Sequence, residues 1–235
     1  MSTDTAARLT QALGLDTPPI AMTFTDKVPA GIPRASGASP SSCAFWRQAE
    51  HGVFYATAEE HFNCPIGAMV MGFALPEALQ QELGGLVTKM CECGYVDASE
   101  ADKIPTVSAG GTGVVYGPLA HYPLAPDYVV MWLTPRQAML YNEAAGSASW
   151  ASAGAGITGR PACTAIALAG KSGNPALSLG CAGMRTFTEI ADDRLLSITP
   201  SAALENLADE LERIAVVNQG MGEFYEERKA GVAAR

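Results

Sequence analysis

The chain has 235 residues, 48% of them hydrophobic and only 17% charged, with a formal net charge of −9. That balance gives no basic footprint for nucleic acid or an anionic membrane, and no apolar run is long enough to span a bilayer. Low charge together with abundant small apolar residues predicts burial of much of the surface, in the fold or in a homodimer or higher homo-oligomer. The start, Met-Ser-Thr-Asp-Thr-Ala, lacks a basic region followed by an apolar core, so the expected compartment is the cytoplasm.

In chain order, Ala6, Leu9 and Leu13 recur at helical spacing after caps at Thr3 or Asp4, which predicts a helix over Thr5 to Leu15, stopped by Pro18-Pro19. Ile20 to Thr25 reads as a strand, and Lys27 to Pro40 as a loop rich in Pro, Gly and Ser. Ser41 or Ser42 then caps a short helix from Cys43 to Glu50, ended by Gly52, and Val53 to Thr57 is a β-rich second strand. Helices are predicted from Asn63 or Pro65 through Phe73 and from Pro76 to Met90, and Thr106 to Pro118 is Gly-punctuated and β-like. Tyr128 to Thr134 is a continuous apolar strand suited to burial on both faces. Pro135 occupies the first turn of a helix towards Ala145. Gly146 to Pro161 reads as loop, residues 162 to 169 as helix or strand, Ala176 to Gly180 as a strand, and Ser201 to about Arg228 as an amphipathic helix. No repeat period stands out. The recurring strand–turn–helix order predicts an α/β fold with a mixed sheet flanked by helices, one domain over residues 1–235 or two intimately packed lobes near 1–125 and 126–235.

Nucleotide and hydrolase signatures fail on context. Gly154 to Gly159 matches GxGxxG but follows a polar stretch rather than a strand, Gly170-Lys171-Ser172 is followed by Gly173-Asn-Pro175, and Gly110 to Gly113 has the wrong spacing. All three read as turns. There is no GxSxG or HExxH, and His51, His61 and His121 are too scattered for a His-rich site.

The cysteines carry more. Cys43, Cys64, Cys91, Cys93, Cys163 and Cys181 in a cytoplasmic chain do not read as a disulfide framework, and each competes with the reading of a small buried hydrophobe. Cys64-Pro65 exposes a thiolate at a turn that opens a helix, and the glycines flanking Cys181 let backbone approach a bulky cofactor. Cys91-Glu-Cys93 is a tight pair without the second pair of a zinc ribbon. No CxxxCxxC or CxxCxxC run is present, so any cluster is assembled from distant segments.

Ser-Cys43-Ala-Phe-Trp, Asn-Cys64-Pro-Ile-Gly-Ala, Gly117-Pro-Leu, Pro126-Asp-Tyr-Val-Val, Pro135-Arg-Gln-Ala-Met, Ala162-Cys163 and Ser178-Leu-Gly-Cys181-Ala-Gly-Met-Arg185 occur in this order. As a set they resemble family 169 of the domains of unknown function, bacterial and archaeal, over roughly residues 5 to 215. The resemblance implies that Cys43, Cys64, Cys163 and Cys181 hold a metal centre and leaves Cys91 and Cys93 outside the pattern. The leading expectation is a [4Fe–4S] enzyme of lyase, desulfuration or dehalogenation type, in which three or four of these cysteines ligate and an open iron acts as Lewis acid on a small anionic substrate. Arg47 and Arg185 are the candidate substrate-binding residues, and His61 and Glu60 the acid–base candidates, with Glu59 beside them. The alternatives are a cluster-binding electron-transfer or sensing protein and a zinc-stabilised small-molecule-binding domain.

Overall fold

The computed structural model describes residues 2–108, 111–146 and 154–233. The chain opens with helix α1 (Ser2–Leu13), so Thr3 and Asp4 lie inside the helix rather than capping it, and Asp4 sits in its first turn. Strand β1 (Ile20–Thr25) follows, then α2 (Ala44–Gln48), β2 (Phe54–Thr57), a 3-10 turn at Glu59–His61, and α3 (Pro65–Val70). Next come α4 (Glu77–Glu92), α5 (Ala98–Ala101), β3 (Gly113–Pro118) and a second 3-10 turn at Leu119–His121. The second half runs β4 (Tyr128–Leu133), α6 (Pro135–Ala145), β5 (Gly156–Thr158), α7 (Thr164–Ser172), β6 (Ala176–Ser178), α8 (Ala182–Thr188), β7 (Leu195–Pro200) and α9 (Ser201–Ala233). Two strands escape the sequence patterns. β5 lies in the expected loop, and β7 in the span between Cys181 and the last helix.

The described strands form one seven-stranded mixed sheet in the order β2-β3-β1-β4-β7-β6-β5, with helices on both faces. Among the described strands, β5 and β6 are the one pair that runs parallel. Alternation along the strands sorts the side chains. Ile20, Met22, Val130 and Trp132 face a core closed by α2, α3, α7 and α8. Ala21, Val129, Met131 and Leu133 face a second core closed by α1, α6 and α9. β4 is buried on both faces as its apolar run predicts. α6 carries the fullest N-terminal signature, with Pro135 in its first turn and a reciprocal Thr134–Gln137 capping box. Among the described residues no helix is long and apolar enough to cross a membrane.

The strands also carry an internal two-fold relation that the sequence hides. β1, β2 and β3 repeat as β4, β6 and β7, since the third strand of each set pairs antiparallel with the other two. The registers agree residue by residue. Ile20 pairs with Pro118 as Tyr128 pairs with Pro200, and Phe54 pairs with Tyr116 as Ala176 pairs with Ile198. At the seam Ile20 pairs with Val130 and Met22 with Tyr128, so the relation is centred on the Ala21–Val129 pair. β5 is the second half's extra edge strand. The first half instead inserts α4 and α5 before β3.

Candidate metal centre

Each of the four cysteines that the sequence resemblance singles out occupies the residue just before a helix: Cys43 before α2, Cys64 before α3, Cys163 before α7 and Cys181 before α8. The two-fold relation pairs them. Cys43 and Cys163 each follow the first strand of their half and share a helical backbone conformation. Cys64 and Cys181 each follow the middle strand, with similar φ (−127° and −135°) but different ψ (88° and 165°). Because the four helices close the same face of the sheet, the four thiols line one cavity of about 640 Å³. Cys43 and Cys163 are buried at its floor, and Cys64 and Cys181 are half-buried.

Burial raises three of the four thiols. Burial pushes Cys43 up to about 12, with Cys64 and Cys181 adding repulsion and the Ser41 hydroxyl, 3.2 Å from its sulfur, opposing. Burial raises Cys163 well above the ordinary thiol range, helped by the other three thiols. Burial also raises Cys64, against the pull of the Gly67 and Ser42 backbone on its sulfur. The Cys181 sulfur accepts the Met184 N–H at 3.4 Å. Among the described residues, no group of three or more His, Cys, Asp and Glu side chains is placed to hold a single metal ion.

Two further features suit a bulky sulfur-bound group. The Ser42 hydroxyl is buried, lines the cavity and finds no hydrogen-bond partner among the described residues. A buried hydroxyl without a partner is costly, and one beside Cys43 is placed to donate to a sulfur. Gly67 also lines the cavity, and a Cβ there would stand 2.8 Å from the Ser42 Oγ and 3.2 Å from the Cys64 Sγ. The glycine keeps that space open.

The other sequence candidates sit elsewhere. His61 is fully buried in the core, its Nδ1–H donating to the Thr57 carbonyl at 2.6 Å and its Nε2 accepting from the Tyr116 hydroxyl at 2.9 Å. Burial lowers it to about 4, so it is a neutral structural imidazole. Glu60 accepts from the Thr57 N–H and pairs with Arg34, at the 3-10 turn that Glu59 opens. Arg47 is held by the buried carboxylate of Glu50, which also accepts from Trp132 Nε1. Arg185 donates to the carbonyls of Leu179, Ala191 and Arg194 and so fastens the chain on either side of α8. None of these five residues is among the described residues lining the cavity. Cys91 ends on α4 and Cys93 just beyond it is exposed, both outside the lining.

The cavity instead presents Tyr95 and Arg160, which sequence reasoning passed over. The Arg160 guanidinium lies 4.2 Å above the Tyr95 ring, and the Tyr95 hydroxyl accepts from the Ala182 N–H at 3.3 Å. The only sequence clue to Arg160 is its place three residues before Cys163. Of the nucleotide-like stretches, Gly156 to Thr158 forms edge strand β5, and Gly170-Lys171-Ser172 ends α7 rather than beginning a helix. Gly113 opens β3, while Gly110 and the polar stretch 147–153 lie outside the described residues.

Fold and site together define a mixed α/β protein with a four-thiol cavity shared between its two related halves. The chain belongs to family 169 of the domains of unknown function, described as uncharacterised ArCR, which it matches over residues 8–210. No curated protein and no solved structure matches it.

Proposed function

We propose that the protein is an iron–sulfur enzyme whose [4Fe–4S] cluster is held by Cys43, Cys64, Cys163 and Cys181, or by three of them, and whose substrate is small and anionic. The observation that carries this reading is the convergence of four thiols, two from each half, on one cavity. The unpartnered Ser42 hydroxyl and the Met184 N–H supply hydrogen bonds of the kind that tune cluster sulfurs.

With three thiolate ligands, such a cluster supplies an open iron, a Lewis acid towards a substrate oxygen, sulfur or halogen. The chain's own part is to hold substrate in a walled cavity and exclude water from it. Arg47 and Arg185 stay engaged away from the cavity, which moves anion binding to a different cation. A second reading, an electron-transfer or sensing protein, is favoured by the presence of a fourth thiol in the ring.

Cysteine substitution tests the site. Cys64→Ser and Cys181→Ser are expected to lose most of the bound iron, and Cys91→Ser and Cys93→Ser to keep it. Full iron content in both Cys64→Ser and Cys181→Ser contradicts the proposal. Cys163→Ala separates the readings. A cluster that survives it and changes its spectrum with small anions is an enzyme's, whereas one lost on substitution and blind to every ligand belongs to an electron carrier.

A further inference from the structure

Above the thiols the cavity is walled by Leu86, Val87 and Met90 from α4, by Ile104 just beyond α5, and by Met184 and Phe187 from α8. Its size lies within the range of small-molecule sites, about 300–1,000 Å³, so room remains over the cysteine floor. Four charged side chains meet this space: Asp97, Glu100, Lys103 and Arg160. Lys103 is paired with Glu100 at 2.7 Å, and Asp97 caps α5 by accepting from the Ser99 N–H and hydroxyl. Arg160 alone of the two cations has no carboxylate among the described residues, its guanidinium resting on the Tyr95 ring. A stacked guanidinium keeps its edge N–H donors free for an oxyanion. Tyr95 ties this pair to the cysteines, because its hydroxyl is bound by the residue after Cys181 while Arg160 stands three residues before Cys163.

From this arrangement we infer that the cavity takes an apolar monocarboxylate, its hydrocarbon body against the α4–α5 and α8 walls and its carboxylate on Arg160. One unengaged cation matches one negative charge. Asp97 and Glu100 at the same rim offer nothing to a second, so dianions and phosphates are disfavoured. The apolar walls reject an acid with no hydrocarbon body, such as acetate. This deepens the iron–sulfur reading and rests on it only for what occupies the cavity floor.

Calorimetric titration of the full-length protein, purified anaerobically, tests the inference with phenylacetate, phenylacetamide, phenylmalonate and acetate as probes. Phenylacetate is expected to bind at least about ten-fold more tightly than the other three, as loss of one charge-assisted hydrogen-bond pair predicts. Arg160→Ala should lower phenylacetate to the level of phenylacetamide and leave phenylacetamide unchanged, and Phe187→Ser should weaken both. Phenylacetate affinity unchanged in Arg160→Ala, or no tighter than that of acetate, overturns the assignment. Iron and sulfide assays on the same samples keep the two proposals apart. Arg160-dependent binding by an iron-free protein upholds the ligand site while the cluster reading fails. A cluster-loaded protein that ignores phenylacetate overturns the ligand site alone.

Discussion

His61 shows how a residue suited to catalysis serves the core instead. Its ring packs against Phe45 and Phe73, with centroids 4.8 Å away in each case, and both nitrogens are satisfied internally. Burial lowers its proton affinity from the ordinary 6.5 to about 4, so between those values the unfolded chain binds a proton that the folded chain refuses. Stability therefore rises with pH across that window, is fully present above about 6.5 and is lost as pH falls towards 4. The loss from pH 7 to pH 5 is about 2 kcal/mol. Urea unfolding at the two pH values should show it, and His61→Gln, which keeps a donor and an acceptor, should remove most of the difference. An equal pH slope in both proteins contradicts the assignment. Gly67 gives a prediction of opposite character to the usual glycine. In a helix Gly→Ala ordinarily stabilises by about 0.5–1 kcal/mol, as expected for Gly84 in α4, where an added Cβ meets nothing within 4 Å. At Gly67 the same change should cost about 1–3 kcal/mol through overpacking against Ser42 and Cys64, and iron content should drop with it. At this scale Cys64 and Cys181 stand out in the sequence because proline and glycine punctuate them, whereas Cys43 and Cys163 are singled out by the family resemblance alone. Ser42, Gly67, Tyr95 and Arg160 do not stand out, since a side chain's aim into a shared cavity depends on segments far apart in sequence.

Among the elements, α4 stands apart. It is 16 residues long and buries none of them, though Leu83, Leu86 and Met90 lean on the core below. A helix held by so little buried area should open at low free-energy cost. Its amides are expected to exchange well before those of α7, which buries five of its nine residues. Equal protection of α4 and α7 in native-state hydrogen exchange contradicts this. Most elements were legible where one signal dominated: the apolar run of β4, Pro135 opening α6, and the heptad-like apolar stripe that α9 buries from Leu204 to Ile214. β5 and β7 escaped because three residues at an edge carry too little pattern, and because the short Leu195–Pro200 segment is interrupted by Ser197 and ends in a proline. Tertiary pairing makes them strands.

At the scale of the whole molecule, the two-fold relation explains why no compact cysteine motif appears in the sequence. Each half contributes one thiol after its first strand and one after its middle strand, and the ring closes only when β1 meets β4. The repeat was illegible because the halves share strand order and register rather than residues, and because α4–α5 in one half and β5 in the other break the period. The same scale carries the assembly expectation. Beyond Ile214, α9 buries no further described residue and exposes Val217, Met221, Phe224 and Tyr225, apolar surface that a homo-oligomer would cover. Light scattering at micromolar concentration should give a dimer or larger, and a clean monomer contradicts it. The most direct test of the central claim is the iron, sulfide and zinc content of anaerobically purified protein. The four-thiol cavity predicts iron and acid-labile sulfide in equal amounts, near four of each per chain; zinc without sulfide, or no metal at all under anaerobic reconstitution, would contradict it.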